Sequence, residues 1–352
     1  MAAKSGFKKD QPAPLDYTAL TRELRERGVQ NLYLLWGEEE YLLADFVKMI
    51  RKACLGDGGD AFNAKRIDGA EPNEDDIAEA LNAMPFFGER TYVELRGFDV
   101  NKCREESTMK LFSDIPEWCT VVIVLPTGMN PDGRLTFIKN LKKAGKAVQF
   151  TPQESSKLRN WISRRFQACG KIIGYDAIDR LIFISGNLMT RLIPEITKIA
   201  SYVQSERITV QDIEKLAHHV PEATAFEMTD AIADGNYDTA MNKLAELLAG
   251  DAAPAEMMGS IGWQIRQLYA AKLAEKNGRG TEYLKEVLGT NSDYRIKMLS
   301  QSARKFTLSA LTNGVRLCAE YAMKPRELGG AMDDTEAIKE FFIRFAMECR
   351  HA

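Results

Sequence analysis

The feature that most constrains the fold is a change in hydrophobic periodicity near Thr151. Before that point, short runs rich in β-branched and aromatic residues alternate with segments whose apolar residues recur every three to four positions. This alternation predicts a sheet with crossover helices. After Thr151, almost every segment has the helical spacing alone. We therefore predict an α/β part followed by an all-α part.

The α/β part is predicted to contain five strands, with helices between them. The predicted strands are 32–36, 62–68, 91–96, 120–125 and 147–150. The predicted helices are 41–52, 75–84, 102–112 and 135–143. Asn73 is a candidate cap for the helix at 75–84. The acidic residues 74–76 fall in its first turn, where the helix dipole favours carboxylates.

Composition shifts and breaker residues divide the chain further. Residues 1–14 form a short polar segment that we interpret as a flexible arm, and 15–150 form the α/β domain. Prolines and glycines punctuate a small helical block at 151–222, and longer amphipathic helices fill 223–352. One of these helices carries an apolar stripe that needs a partner surface, either within its own domain or on another subunit. The stripe consists of Leu308, Leu311, Val315, Cys318 and Tyr321.

Composition excludes several classes of protein. The 352 residues are 45% hydrophobic and 28% charged, which excludes bulk disorder. The formal charge of −3 excludes binding to nucleic acid through the entire surface. The six cysteines form no CxxC pair, so neither a zinc site nor a disulfide framework is indicated. No apolar run approaches the ~20 residues of a membrane span, and we expect a soluble protein in a reducing cytoplasm that makes no membrane contact.

The first strand-to-helix junction is where nucleotide-binding α/β domains place a phosphate loop. Here it contains Gly37, Glu38, Glu39 and Glu40, so one glycine precedes three carboxylates that would repel a triphosphate. No Gly-Lys-Ser/Thr sequence occurs elsewhere, and ATP hydrolysis is not expected.

The other catalytic signatures are also missing from the sequence. The three histidines, His218, His219 and His351, lie near no nucleophile motif and are interpreted as structural or exposed. We predict no catalytic residue, cofactor or metal.

A turn at 83–90 is the most distinctive local segment. Pro85 and Gly88 fix the turn, Met84 precedes it, and Phe86 and Phe87 lie at its crown. The two rings either fold back onto the sheet or form an exposed apolar wedge for a partner's pocket. If buried by a partner, each ring contributes about 1.5–3 kcal/mol.

Several motifs together resemble one protein family. They are the strand and acidic loop at 33–43, the turn and strand at 84–95, the helix at 192–200 and the stretch at 208–214. In order and spacing over about 320 residues, they resemble the delta subunits of the bacterial DNA polymerase III clamp loader.

The resemblance implies a fold and a function. The fold would be an AAA+-like α/β domain without a working P-loop, a small helical lid domain and a C-terminal helical collar domain for oligomerisation. The function would be to bind the sliding clamp and hold its ring open for loading on primed DNA, as a non-ATPase subunit of the DNA polymerase holoenzyme. The implied partners are the clamp (beta subunit) and the ATPase and delta-prime subunits. In this family, the two hydrophobic residues of the turn contact the clamp, and they correspond to Phe86 and Phe87, with Met84, Pro85 and Gly88 shaping the turn.

Two other functions remain as alternatives. One is a diverged AAA+ ATPase, which nucleotide binding by the purified protein would support. The other is a helical nucleic-acid-binding protein built around 151–220, where ten Lys and Arg face seven Asp and Glu. For the second, residues 225–352 have 16 Lys and Arg against 18 Asp and Glu and offer no dedicated phosphate surface. Neither alternative explains the Phe86–Phe87 turn.

Overall fold

The computed structural model describes residues 15–56, 60–86, 88–103, 106–250, 253–327 and 332–350, so the predicted arm at 1–14 lies outside the described residues. The chain forms two compact units. The first contains the chain up to Gln153 together with Leu188–Thr190. The second contains Glu154–Asn187 and the chain from Arg191 onward. The division of the helical part at 222 stays a prediction.

The first unit alternates strands and helices along the chain. Its strands are β1 (Leu32–Gly37), β2 (Ala64–Asp68), β3 (Thr91–Arg96), β4 (Cys119–Val124) and β5 (Lys146–Phe150). Its helices are α1 (Tyr17–Arg27), α2 (Glu40–Leu55), the single turn α3 (Asp60–Asn63), α4 (Glu74–Asn82), α5 (Glu106–Leu111) and α6 (Thr136–Ala144).

The five strands form one parallel sheet in the order β2-β3-β4-β1-β5. The central strands β1 and β4 are buried along nearly their whole length, as expected for a parallel sheet covered on both faces. On one face, the ring of Phe46 in α2 packs edge-on against Tyr33, with centroids 6.1 Å apart. On the other face, Leu32, Leu34 and Trp36 join a core with residues of α4 and α6.

The predicted strands and helices of this unit are present, several with shifted ends, and α1 was not predicted. Strand β3 has the predicted bounds, and the Asn73 side chain accepts a hydrogen bond from the Asp75 N–H at 2.8 Å, as a cap does. The strand predicted at 62–68 begins at Ala64 in the structure, because Phe62 and Asn63 belong to α3. Helix α4 ends at Asn82 rather than at 84, since Pro85 disfavours helical backbone at the residue before it.

Helices dominate the chain after residue 153. They are α7 (Ser155–Ala168), α8 (Tyr175–Ser185), α9 (Met189–Tyr202), α10 (Val210–Leu216), α11 (Pro221–Ala233), α12 (Tyr237–Ala249), α13 (Pro254–Lys276), α14 (Thr281–Leu288), α15 (Asp293–Arg304), α16 (Leu308–Glu327) and α17 (Asp334–Arg350). The expectation that strands stop near Thr151 was wrong in detail. Two short strands, β6 (Ile172–Ile173) and β7 (Arg207–Ile208), pair in parallel. The α/β unit and this helical part together confirm the predicted α/β plus all-α fold class.

The apolar stripe of α16 packs within its own domain. Leu311, Cys318 and Tyr321 are each at most 5% exposed and join a core that includes α13 and α17. Helices α16 and α17 approach closely at Gly314, where an added Cβ would lie 2.5 Å from the Phe345 ring. Of the two partner surfaces considered for this stripe, the structure therefore provides the internal one.

Candidate functional site

The turn between α4 and β3 is held by side chains from other segments. The Asn63 amide donates to the carbonyl oxygen of Phe86 at 2.9 Å and accepts from the Phe86 N–H at 2.6 Å. Asn63 is only 5% exposed, so both hydrogen bonds are partly sheltered from water. On the other side of the turn, the Trp118 indole N–H donates to the Ala83 carbonyl at 3.2 Å. The turn is thereby held at Ala83 and at Phe86.

Gly88 leaves room for this arrangement. A Cβ added at Gly88 would lie 3.0 Å from the Asn63 amide nitrogen, which is tighter than ordinary van der Waals contact. The glycine that the sequence analysis assigned to turn shape therefore also lets the Asn63 side chain reach Phe86.

The turn exposes apolar side chains. Met84 is 74% exposed and Phe86 is 55% exposed, so the Phe86 ring is not part of the core under the sheet. Pro85 is half-buried between them. Phe87, the second residue predicted at the crown, lies outside the described residues.

A second exposed ring lies beside the turn, and the sequence analysis missed it. Phe62 of α3 is 76% exposed, and its ring centroid is 5.5 Å from that of Phe86. Sequence reasoning placed Phe62 and Asn63 at the start of a strand, where their proximity to the turn could not be seen. The available signal was an apolar residue followed by an asparagine just before an edge strand.

The loop at the first strand-to-helix junction does not have the geometry of a phosphate cradle. The Glu39 N–H donates to the Phe150 carbonyl at 3.1 Å, and the Glu40 N–H donates to the Glu38 carbonyl at 3.0 Å. Gly37 has a φ of 133°, and a Cβ there would lie 2.1 Å from the Phe150 carbonyl oxygen. Gly37 therefore allows the close approach of β5, and the backbone N–H groups of Glu39 and Glu40 bind carbonyl groups of the protein itself.

The three carboxylates of this loop have different environments. Glu38 and Glu40 are exposed, and Glu40 accepts a hydrogen bond from the Thr127 hydroxyl. Glu39 is fully buried, and its carboxylate accepts from the Met189 N–H at 3.2 Å. Burial raises the pKa of Glu39 to about 7, against the opposing effect of hydrogen bonds from the backbone N–H groups of Met189 and Tyr41.

The described residues contain no group of three or more His, Cys, Asp or Glu side chains placed to hold a metal ion. His219 lies 3.3 Å from a carboxylate oxygen of Glu227, which also pairs with Arg180 and Lys243. Burial raises the pKa of Glu227, but hydrogen bonds from His219 and Lys243 outweigh it and lower the pKa to about 2. This cluster is therefore a network of ion pairs within the helical part. Across the described ranges, no helix is both long enough and apolar enough to cross a membrane.

The fold and this loop define the class of protein: an α/β domain with a parallel sheet, no phosphate cradle at its first junction, and a large helical part. Comparison with known proteins identifies the family. The family model "DNA polymerase III, delta subunit" matches residues 33–151, and that of the delta subunit's C-terminal domain matches residues 222–345. Together they cover more than half of the chain, which therefore belongs to the DNA polymerase III delta subunit family, a component of the clamp loader.

Individual relatives agree with this assignment. The chain is 24% identical over 332 residues to DNA polymerase III subunit delta of Bacillus subtilis (strain 168), covering 92% of this chain and 94% of that protein. It is 21% identical over 299 residues to the probable DNA polymerase III subunit delta of Aquifex aeolicus (strain VF5), covering 82% of each.

A solved structure shares the fold. The Bacillus subtilis DNA clamp loader delta protein superposes with a TM-score of 0.51 at 20% identity, covering 94% of this chain and 99% of that one. At this identity, the similarity concerns the fold alone.

Proposed function

We propose that this chain binds the sliding clamp through the turn at 83–90 and opens its ring, or holds the ring open, during loading onto primed DNA. The observation that carries the proposal is the exposure of Met84 and Phe86 on a turn fixed by Asn63. Exposed apolar side chains on a rigid support are typical of interaction hot spots. The neighbouring Phe87 completes the pair that the family resemblance assigns to the clamp.

Ring opening needs more than affinity. A ligand shifts a closed-to-open equilibrium only by the difference between its affinities for the two states. The turn must therefore contact the clamp better when the adjacent ring interface is distorted. A turn held by two hydrogen bonds to the buried Asn63 suits this task, because a mobile turn would adapt to the closed ring as well as to the open one.

The chain would act without nucleotide of its own. The backbone donors near Gly37 are used internally, and two exposed carboxylates flank the position where phosphates would bind. We propose that the ATPase subunits of the loader supply the nucleotide-dependent step. The helical part from 223 onward would join them and the delta-prime subunit in a collar, in the cytoplasm where replication takes place.

Clamp affinity and melting temperature measured on one preparation of the Phe86→Ala/Phe87→Ala variant test this proposal. Removing both rings costs on the order of 3–6 kcal/mol if the clamp buries them fully, which weakens binding at least a hundredfold. An unchanged melting temperature with lost binding supports the proposal. A lowered melting temperature with wild-type affinity of the folded fraction would overturn it, because the rings would then serve the protein's own stability.

A further inference from the structure

The apolar surface beside the turn extends beyond the turn itself. Within the described residues up to 153, only three large apolar side chains are exposed. Two of them, Met84 and Phe86, belong to the turn. The third is Phe62, which belongs to α3 and is the most exposed of the three at 76%. Their concentration in one place is unlike the scattered single exposures of an ordinary surface.

Phe62 and Phe86 form a pair with fixed geometry. Their ring centroids are 5.5 Å apart and their planes are inclined by 51°, within the range of favourable aromatic contacts. Asn63, the residue after Phe62, holds the backbone of Phe86 through both its N–H and its carbonyl. Asn63 therefore ties the backbone of Phe86 to the segment that carries Phe62.

We propose that Phe62 is an additional aromatic contact with the clamp, beyond the residues of the turn, and that Asn63 is a positioning residue for Phe86. This inference rests on the proposed function. The partner surface would be an apolar groove on the clamp, wide enough for two tilted rings rather than for the turn alone. Burial of the pair excludes water from both rings at once, so each ring strengthens the contribution of the other.

The test for Phe62 compares single and double variants by clamp affinity and melting temperature. Phe62→Ala is expected to weaken clamp binding about tenfold, with an unchanged melting temperature because the ring is mostly exposed. The Phe62→Ala/Phe86→Ala double variant should lose less binding free energy than the two single variants lose in sum, since the rings are in contact. Tyr202→Ala removes a ring of similar exposure, 60%, from the helical part and should bind as wild type.

The outcomes separate the inference from the proposed function. If Phe86→Ala loses binding while Phe62→Ala keeps wild-type affinity, the inference about Phe62 is wrong and the proposed function stands. If both single variants and the Phe86→Ala/Phe87→Ala variant bind normally, the proposed function fails as well. If Phe62→Ala melts lower and its folded fraction binds normally, the ring has a structural role and the inference is overturned.

The test for Asn63 uses its dependence on Phe86. Asn63→Ala removes both hydrogen bonds to the Phe86 backbone and should weaken clamp binding about tenfold at a temperature where the variant is fully folded. In the Phe86→Ala background, the same substitution should have little further effect, because Asn63 acts through the Phe86 ring. An equal loss in both backgrounds would overturn the positioning role.

Discussion

The buried carboxyl group of Glu39 makes the stability of the protein depend on pH in a predictable direction. Its pKa is raised from 4.5 to about 7, chiefly because burial disfavours the charged form. Between these two values the folded protein holds a proton that the unfolded chain releases. The free energy of unfolding therefore falls as pH rises from about 4.5 to 7, by on the order of 3 kcal/mol from this group.

Glu39→Gln removes this contribution. The amide can still accept the hydrogen bond from the Met189 N–H, and it never carries a charge. We expect the variant to gain stability relative to wild type as pH rises from 5 to 8, by on the order of 3 kcal/mol. Any cost of accommodating the amide group is the same at both pH values and cancels in this comparison.

The assay is chemical denaturation of both proteins at pH 5 and pH 8, followed by circular dichroism. Glu38→Gln is the matched control, because it removes the charge of an exposed neighbour in the same loop. The control should show the same pH dependence as wild type. A difference between Glu39→Gln and wild type that is equal at pH 5 and pH 8 would refute the assignment of a protonated, buried Glu39.

Three further predictions concern the loop, the nucleotide and the assembly. Gly37→Ala should destabilise the fold by ~3 kcal/mol and lower the melting temperature by about 6–12 °C, because its Cβ would lie 2.1 Å from the Phe150 carbonyl oxygen. Gly28 also has a positive φ but faces open space, so Gly28→Ala should have a clearly smaller effect. Titration with fluorescent ATP and a phosphate-release assay on the isolated chain should both stay at background, and micromolar binding would favour the ATPase alternative. Ile343 and Met347 lie one turn apart on α17 and are more than half exposed. Replacing both with aspartate should block assembly with the ATPase subunits in size-exclusion chromatography, while clamp binding persists. Normal assembly would exclude this face of α17 as the contact.

The sequence was a good guide where local chemistry decides the structure. Strand β3 has the predicted bounds because its run of β-branched and aromatic residues is bounded by turn residues, and Asn73 caps α4 because its side chain accepts from a nearby backbone N–H. Helix α1 was missed because it is mostly polar, although Asp16 caps it by accepting a hydrogen bond from the Ala19 N–H. Its position depends on contacts with α2, such as the hydrogen bond that the Tyr17 hydroxyl donates to Asp45, and local periodicity does not encode them.

The candidate site was predictable only in part. Pro85 and Gly88 predict a turn, and the motif draws attention to Phe86, but neither indicates which side chain holds the turn in place. That role falls to Asn63, which is 23 residues away in sequence and bonds to the Phe86 backbone. The same long-range contact brings Phe62 to the surface of the turn. A contact between a one-turn helix and a distant loop leaves no periodic signal.

The central claim is that the turn changes the state of the clamp ring as well as binding it. A clamp labelled with a donor and an acceptor dye across one ring interface, mixed with this chain without ATP, tests it most directly. The account predicts that energy transfer falls on addition of the wild-type chain and stays unchanged with the Phe86→Ala/Phe87→Ala variant. Saturated binding of the wild-type chain with unchanged energy transfer would contradict it.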